Sequence, residues 1–199
     1  MDGFMEKDFH KSSVGPRGGE QEVLTRGQLS SELKTHTQQM AQALVRAMDA
    51  NDRVTGQHSR SVERYALAIA MFIDLTQDQI ENLKIAALLH DIGKLGIEKE
   101  ILSKPTALTD SEYAQIKKHL DIGVEILGGI DAFRAATEIL RHHHERPDGK
   151  GYPHGITAIP LGSAILSVAD AFDAMVSSRP YRTGMPHAAA TAFAVSDLP

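Results

Sequence analysis

Apolar residues recur along most of the chain at intervals of three and four positions, which is the period of an amphipathic α-helix. The pattern begins at Ser31 and fades within residues 49–58, and the apolar face of this first predicted helix carries Met40, Leu44, Val45 and Met48. Further helices are predicted over residues 59–73, 76–93, 109–127, 132–144 and 162–177, followed by a short Ala-rich end. No stretch alternates over strand length and no segment repeats, so the predicted fold class is all-α.

Cap and turn signals divide these helices from one another. The clearest are two capping boxes, Thr76 with Gln79 and Thr109 with Glu112. Asp131 is a predicted cap for the helix over 132–144. Residues 145–160 are rich in glycine and proline and are predicted to form a long loop. Residues 1–30 are polar and aperiodic, so they are interpreted as a flexible tail, which leaves 31–199 as one helical domain.

Composition narrows the classes of function. The net charge of −5 gives no general attraction to nucleic acid polymers or to anionic membranes, so any phosphate binding must be local. The chain has no cysteine, which excludes disulfides and thiolate metal sites. No apolar stretch has membrane-spanning length, and the first residues lack the apolar core of a signal peptide, so a cytoplasmic location is expected.

The stretch AALLHDIGKLGI, residues 86–97, sets a histidine and an aspartate at the end of an apolar run. Ionisable groups in such surroundings are costly to bury unless a partner compensates them. Other histidines and aspartates lie at predicted helix ends or on apolar helix faces, and the full set is His58, His90, Asp91, His119, His143, His144 and Asp170. Helical bundles build metal sites from such inward-pointing ligands, and imidazole with carboxylate suits Fe, Mn, Zn or Ni.

Seven ligands exceed what one tetrahedral ion uses, so two metal ions are predicted, with an aspartate shared between them. Two such metals suit phosphoester hydrolysis, because a bridging hydroxide attacks while both ions hold phosphate oxygens. Taken singly, each residue has a plainer interpretation: His58 as a helix cap, Asp170 as a core aspartate, and residues 142–144 as a solvated helix end. Lys94 alone would be an exposed lysine after a helix. Their joint occurrence favours the metal site.

Longer motifs resemble a known family. HDIGK (90–94) is similar to the signature of HD-domain phosphohydrolases, and HHHERPDGKGYP (142–153) resembles the GYP extension. Together they resemble the HD-GYP family of cyclic di-GMP phosphodiesterases. The resemblance covers about residues 40–190 and continues in order through TGQHS (55–59), ILSKP (101–105), KKHLDIGVEIL (117–127), IPLGSAILSVADAFDAM (159–175) and SRPYR (178–182).

The resemblance implies an HD-domain helical bundle with a GYP-containing loop extension, and it assigns roles to matching residues. The implied ligands are His58, His90, Asp91 and Asp170 for one metal, and His119, His143 and His144 for a second, with Asp91 bridging. Asp91 and Lys94 are the implied catalytic residues, since that lysine lies beside the scissile phosphate in the family. The implied substrate contacts are Lys94, Tyr152, Arg179 and Arg182. The implied cofactors are two divalent metal ions, with Fe or Mn expected ahead of other metals.

Three departures from the family pattern modify these expectations. Val54 stands where some members carry a glutamate that holds a third metal, so a dinuclear centre is expected. The loop between Pro153 and Ile159 is shorter than usual, which affects the rim of the substrate site. The chain ends before the helical stretch with which the family normally continues, so the catalytic domain 31–199 is interpreted as truncated at its C-terminal end.

The leading hypothesis is a metal-dependent hydrolase that opens cyclic di-GMP to linear pGpG, and the resemblance allows either pGpG or, after a second cut, GMP as the end point. One alternative is hydrolysis of another nucleotide, such as a cyclic GMP-AMP dinucleotide. An alternative of another class is an HD-GYP-like effector or binding module without activity, which the complete set of seven ligands disfavours. The predicted partner is cyclic di-GMP, with no nucleic acid polymer and no membrane. The amphipathic helix near residues 31–50 either pairs with a second copy as a homodimer or packs on its own domain.

Overall fold

The computed structural model describes residues 25–51, 53–178 and 183–196, and the regular secondary structure in these ranges is helical. The helices are α1 (Arg26–Asn51), α2 (Arg53–Ala70), α3 (Gln77–Leu89), α4 (Lys99–Leu102), α5 (Asp110–Lys117), α6 (His119–Gly128), α7 (Arg134–Arg141), α8 (Leu161–Val176) and α9 (His187–Ser196). Short 3-10 turns precede α4 and α7, over Ile92–Gly96 and Asp131–Phe133. The described ranges hold no β-strand, which confirms the all-α prediction. Within them, every helix is too short or too polar to cross a lipid bilayer.

Helix α3 lies at the centre of the bundle. Its last five residues, from Ile85 to Leu89, are all buried, because α1, α2, α7 and α8 pack around it. A helix surrounded in this way is apolar on every side, which explains why residues 85–89 read as a continuous apolar run. The remainder of the core comes from α6 and the turn before α7, where Leu120 and Phe133 are fully buried. The two residues that directly follow Leu89, His90 and Asp91, therefore lie deep in the protein.

Both predicted capping boxes are confirmed. The Thr76 hydroxyl accepts a hydrogen bond from the Gln79 N–H at 3.3 Å, while the Gln79 side chain accepts from the Thr76 N–H at 2.8 Å. The same reciprocal pair joins Thr109 and Glu112, at 3.3 and 2.7 Å. These bonds satisfy backbone donors that a helix start leaves free, so they fix where α3 and α5 begin.

The predicted boundary between tail and domain is wrong by five residues. Residues 26–30, assigned from sequence to the flexible tail, form the first turn and more of α1. The physical reason is a third capping box: the Thr25 N–H donates to the Gln28 side chain at 2.7 Å, and the Gln28 N–H donates back to the Thr25 hydroxyl at 3.3 Å. The rest of the predicted tail, residues 1–24, lies outside the described residues.

Two other local predictions are also wrong. Only residue 52 separates α1 from α2, so the expected fading of helix over 49–58 does not occur, and His58 lies within α2 rather than at its start. Asp131 does not cap the following helix, because it begins a 3-10 turn and its carboxylate pairs instead with the exposed Arg134 side chain.

Gly93 marks the place where the turn after α3 touches α6. A β-carbon at this position would overlap the carbonyl oxygen of His119 and would lie 2.6 Å from the backbone nitrogen of Gly123. Both obstacles are backbone atoms of a packed helix, which cannot rotate away as a flexible side chain can. Glycine is therefore required for the close approach that brings the start of α6 beside the end of α3.

We expect Gly93→Ala to lower the free energy of unfolding by about 2 kcal/mol or more, since overpacking a tight contact usually costs about 1–3 kcal/mol. Urea unfolding followed by circular dichroism measures the change. Gly128→Ala is the matched control, because a β-carbon there meets nothing within 4 Å. Equal stability of the two variants would contradict the packing role assigned to Gly93.

Candidate metal centre

All seven predicted ligands converge on one place in the bundle. They come from α2, from the residue pairs that follow α3 and α7, from the start of α6 and from α8. Two clusters are formed: the His58 cluster consists of His58, His90 and Asp170, and the His144 cluster consists of His119, His143 and His144. Within each cluster, one ligand atom from every residue lies within 4.8 Å of the others.

Three of these histidines are oriented by the same local device. The ring Nδ1 of His90, His119 and His143 lies 2.8, 2.8 and 2.7 Å from the backbone carbonyl oxygen three residues earlier. A carbonyl oxygen can only accept, so Nδ1 must carry the proton and donate it. The opposite ring nitrogen, Nε2, then presents a lone pair toward the centre, which is the form in which histidine binds a metal.

These three Nε2 atoms are buried and have no hydrogen-bond partner among the described residues. An unpaired buried acceptor costs about 1–3 kcal/mol, so three at one point call for a ligand that accepts electron pairs. The rings of His90 and His143 also follow helix C-termini, where the helix dipole favours positive charge. Nitrogen and carboxylate ligands without sulfur match Fe, Mn or Zn. The residues present therefore fit a divalent metal site.

Asp91 lies between the two clusters. Its Oδ2 is 3.5 Å from His90 Nε2 and 3.9 Å from His58 Nε2, while its Oδ1 is 4.0 Å from His119 Nε2. The Lys94 ammonium contacts Oδ2 at 2.6 Å. Burial alone would raise the pKa of Asp91, but Lys94 and the surrounding imidazoles hold it well below its usual range. The carboxylate is therefore charged, and its two oxygens face different clusters.

His58 is held between two carboxylates. Its Nε2 lies 3.0 Å from Asp170 Oδ1, and its Nδ1 lies 2.6 Å from Asp173 Oδ2. Burial lowers the pKa of His58, but the hydrogen bonds to the two carboxylates outweigh burial and raise it to about 9. At neutral pH the ring therefore carries a second proton whenever no other cation competes for its position.

The His144 cluster has the opposite electrostatic character. Burial lowers the pKa of His119, and it lowers the pKa of His143 well below its ordinary value, with the neighbouring His144 adding to the effect. The pKa of His144 itself is lowered to about 4, chiefly by burial. All three rings are therefore neutral at pH 7, with lone pairs ready for a cation.

The GYP loop places an aromatic ring on the His144 cluster. The Tyr152 ring stacks on His144, with centroids 4.8 Å apart, and burial raises the pKa of its phenol, which stays protonated. The loop is held from inside by Glu145, whose carboxylate accepts hydrogen bonds from the N–H groups of His154 at 2.7 Å and Ile156 at 3.1 Å. Tyr152 therefore lies half-buried at the mouth of the centre, and its contact with a substrate stays a prediction.

Two residues of the centre are absent from the predicted set. Asp173 is 2% exposed and binds His58, and its signal in the sequence is its place three residues after Asp170, on the same face of α8. Glu145 is also 2% exposed, and its only signal is its position directly after three histidines. The predicted substrate contacts Arg179 and Arg182 lie outside the described residues, as does the side chain of Val54.

Comparison with known proteins identifies relatives of this chain. The model of the HD domain family matches residues 28–195. The cyclic di-GMP phosphodiesterase response regulator RpfG of Xanthomonas campestris pv. campestris is 35% identical over 167 residues, which cover 82% of this chain and 44% of the relative. A cyclic di-GMP phosphodiesterase of Thermotoga maritima is 41% identical over 139 residues, covering 68% of this chain and 38% of the relative.

A third relative differs in the substrate that its name states. The 3′3′-cGAMP-specific phosphodiesterase 2 of Vibrio cholerae is 35% identical over 158 residues, covering 77% of this chain and 30% of the relative. The chain thus spans less than half the length of these curated relatives. Among solved structures, Bd1817, an HDG"Y"P protein from Bdellovibrio bacteriovorus, matches 83% of this chain and 54% of its own, with a TM-score of 0.60 and 23% identity. That likeness supports the fold.

We expect Asp173→Asn to weaken metal binding about 10- to 100-fold, because carboxylates that orient a ligating histidine commonly contribute this much. The substitution keeps the shape of the side chain but removes the charge that faces His58 Nδ1. Competition with a chromophoric chelator measures the affinity. Asp121→Asn is the control, since that carboxylate is exposed on α6. Unchanged affinity in Asp173→Asn would disprove the orienting role.

The two clusters should respond differently to pH. A cation that binds the His58 cluster must displace the proton of His58, so its affinity should rise about tenfold per pH unit and level off near pH 9. Affinity at the His144 cluster should change little between about pH 7 and 8.5, since its rings are already neutral. Manganese titration calorimetry in buffers of different ionisation enthalpy counts the protons released. A single pH-independent class of sites contradicts this expectation.

Proposed function

Because the chain belongs to the HD domain family, in its HD-GYP branch, we propose that it is a metal-dependent phosphodiesterase that hydrolyses cyclic di-GMP to pGpG, with GMP from a second cut as the alternative end point. The observation that carries the proposal is the group of three buried Nε2 atoms that lack a hydrogen-bond partner among the described residues, beside a charged aspartate. Such a group suits cations that hold phosphate oxygens, and the names of two relatives state cyclic di-GMP as substrate.

We infer two metal ions, one for each cluster, and Asp91 is the residue that would help to hold both, because its two oxygens face different clusters. The proposal assigns His58, His90 and Asp170 to one ion, and His119, His143 and His144 to the other. Iron or manganese is the proposed identity, because the ligands are imidazoles and carboxylates without sulfur. When bound, such ions supply positive charge for phosphate oxygens and make water a nucleophile at neutral pH.

The other residues of the centre bind and orient the substrate in this proposal. Lys94 lies 2.6 Å from Asp91, beside the metal ligands. Its ammonium can therefore stabilise the negative charge that develops on the scissile phosphate and its leaving oxygen. The Tyr152 ring offers its face and a protonated hydroxyl at the mouth. Arg179 and Arg182 are assigned to phosphate oxygens by the family motif alone, and their planar guanidinium groups suit that role.

A cyclic GMP-AMP dinucleotide is the second candidate substrate, because the name of the Vibrio cholerae relative states specificity for 3′3′-cGAMP at an identity equal to that of RpfG. The two substrates differ in one purine and share both phosphodiesters. The metal ligands and Lys94 face a phosphate in either case, so only the contacts to the bases can separate the two.

The proposed cellular setting is the cytoplasm, and the protein is proposed to act without a nucleic acid polymer or a membrane as partner. A homodimer through α1 stays a prediction. It is supported by the exposed leucines of the first half of that helix, Leu29 and Leu33, which are 53% and 59% exposed and lie one turn apart. Solvent-facing leucines at this spacing are typical of a helix that pairs with another helix.

The proposal is tested by elemental analysis combined with chromatography of cyclic di-GMP after incubation with the protein. We expect about two equivalents of Fe or Mn per chain and formation of pGpG. Asp91→Asn should abolish turnover and lower the metal content together, because the same carboxylate faces both clusters. Asp121→Asn should leave both unchanged, since that side chain is exposed.

Parallel incubations with 3′3′-cGAMP decide between the two cyclic dinucleotides by the ratio of their kcat/KM values. Binding of cyclic di-GMP without turnover, in protein fully loaded with metal, would refute the enzyme and favour an effector. Loss of turnover in Asp91→Asn with full metal content would refute the bridging role.

A further inference from the structure

Lys117, in the last turn of α5, lies over two tyrosine rings at the mouth of the metal centre. Its ammonium is 4.7 Å from the centroid of the Tyr113 ring and 5.1 Å from that of Tyr152. The two rings meet edge to face at 6.5 Å, and Tyr152 in turn stacks on His144. The Lys117 ammonium thus contacts Tyr152, which contacts His144, and a positive charge lies near the His144 cluster on the side formed by α5.

The charge of Lys117 is not neutralised by a carboxylate in the part of the chain that the structure describes. The contrast with two other lysines of this region is clear: Lys94 contacts Asp91 at 2.6 Å, and Lys104 contacts Glu112 at 2.6 Å. Ring faces stabilise a cation by about 0.5–2 kcal/mol without cancelling its charge. A half-buried ammonium that keeps its full charge attracts an anion from solution.

Cyclic dinucleotides carry two phosphodiesters on opposite sides of one covalent ring. Only one of them can occupy the metal ligands at a time, so the other must lie at some distance from them, on the wall of the site. Lys94 is already engaged with Asp91 and cannot serve both phosphates. The cation available on the α5 wall is Lys117, next to the ring that lies on His144.

We propose that Lys117 binds the phosphodiester that is not being cleaved, and that Tyr113 positions its ammonium for this contact. This inference rests on the proposed function, since it names how the same site distinguishes a cyclic dinucleotide from a phosphodiester with one phosphate. Lys117 is a substrate-binding residue in this assignment, and Tyr113 is a positioning residue because it acts through Lys117.

The test compares Lys117→Gln with the wild type on two substrates, cyclic di-GMP and bis(p-nitrophenyl) phosphate, which has a single phosphodiester. Removing one charge-assisted hydrogen bond should raise KM for cyclic di-GMP about tenfold or more, with kcat nearly unchanged. The preference for cyclic di-GMP, as a ratio of kcat/KM values, should fall by a similar factor. Lys118→Gln is the matched control, because that lysine is the exposed neighbour and touches neither ring.

The outcome that overturns the proposal is a loss of equal size on both substrates, or no loss on either. Calorimetric binding of cyclic di-GMP keeps this test separate from that of the proposed function. If the wild type binds the dinucleotide without cleaving it, the proposed function fails, while a tenfold weaker Kd in Lys117→Gln still supports the contact. If the wild type neither binds nor cleaves it, both proposals fail.

A pair of variants tests the role of Tyr113. Tyr113→Leu removes the ring face and should raise KM for cyclic di-GMP about two- to fivefold, the size of an exposed cation–π contact. Tyr113→Phe keeps the ring and should restore the wild-type KM. A loss in Tyr113→Phe equal to that in Tyr113→Leu would show that the hydroxyl matters instead, and it would overturn the positioning role.

Discussion

The hydrogen bond from a histidine Nδ1 to the carbonyl oxygen three residues earlier is the interaction on which the centre depends. It occurs at His90, His119 and His143, each just after the last residues of a helix. A helix end leaves carbonyl oxygens without partners, and the imidazole satisfies one of them. The same bond fixes the tautomer and turns Nε2 inward. The same hydrogen bond therefore caps the helix end and orients the ligand, and it occurs at the ends of three helices.

Tight packing of the helices brings these three histidines close together in the bundle. The C-terminal part of helix α3 is surrounded by other helices, so its end is anchored, and Gly93 lets α6 approach until His119 Nε2 lies 4.0 Å from Asp91 Oδ1. A centre built on packed helices changes little in shape when a cation enters, which lowers the cost of binding. The GYP loop is the less regular wall, and buried Glu145 gives it hydrogen-bonded support from within.

Much of this architecture could be predicted from the sequence, because the signals are local. Capping boxes and apolar periods predicted most helices, and histidines and aspartates at helix ends or on apolar faces included the six members of the two clusters and Asp91 between them. Thr25 with Gln28 carries the same cap signal, but a glycine between them weakens the helical pattern, so the start of α1 was placed too late. The contact of Asp173 with His58 joins residues 115 positions apart, and no local pattern specifies such a partner.

Asp173 also explains why the two clusters differ in charge. Asp170 and Asp173 lie on one face of α8, and two carboxylates at that spacing repel each other unless a cation lies between them and a neighbour. The protonated ring of His58 supplies that cation. Its Nε2 lies 3.0 Å from Asp170 and its Nδ1 lies 2.6 Å from Asp173. The rings of the His144 cluster stay neutral chiefly because they are buried, and among the described residues that cluster includes no acid. A metal ion at the His58 cluster would replace a proton, whereas a metal ion at the His144 cluster would accept lone pairs that no proton occupies. The two acids of α8 are thus stabilised by His58 without a metal ion, and the need for a metal ion comes mainly from the buried imidazoles.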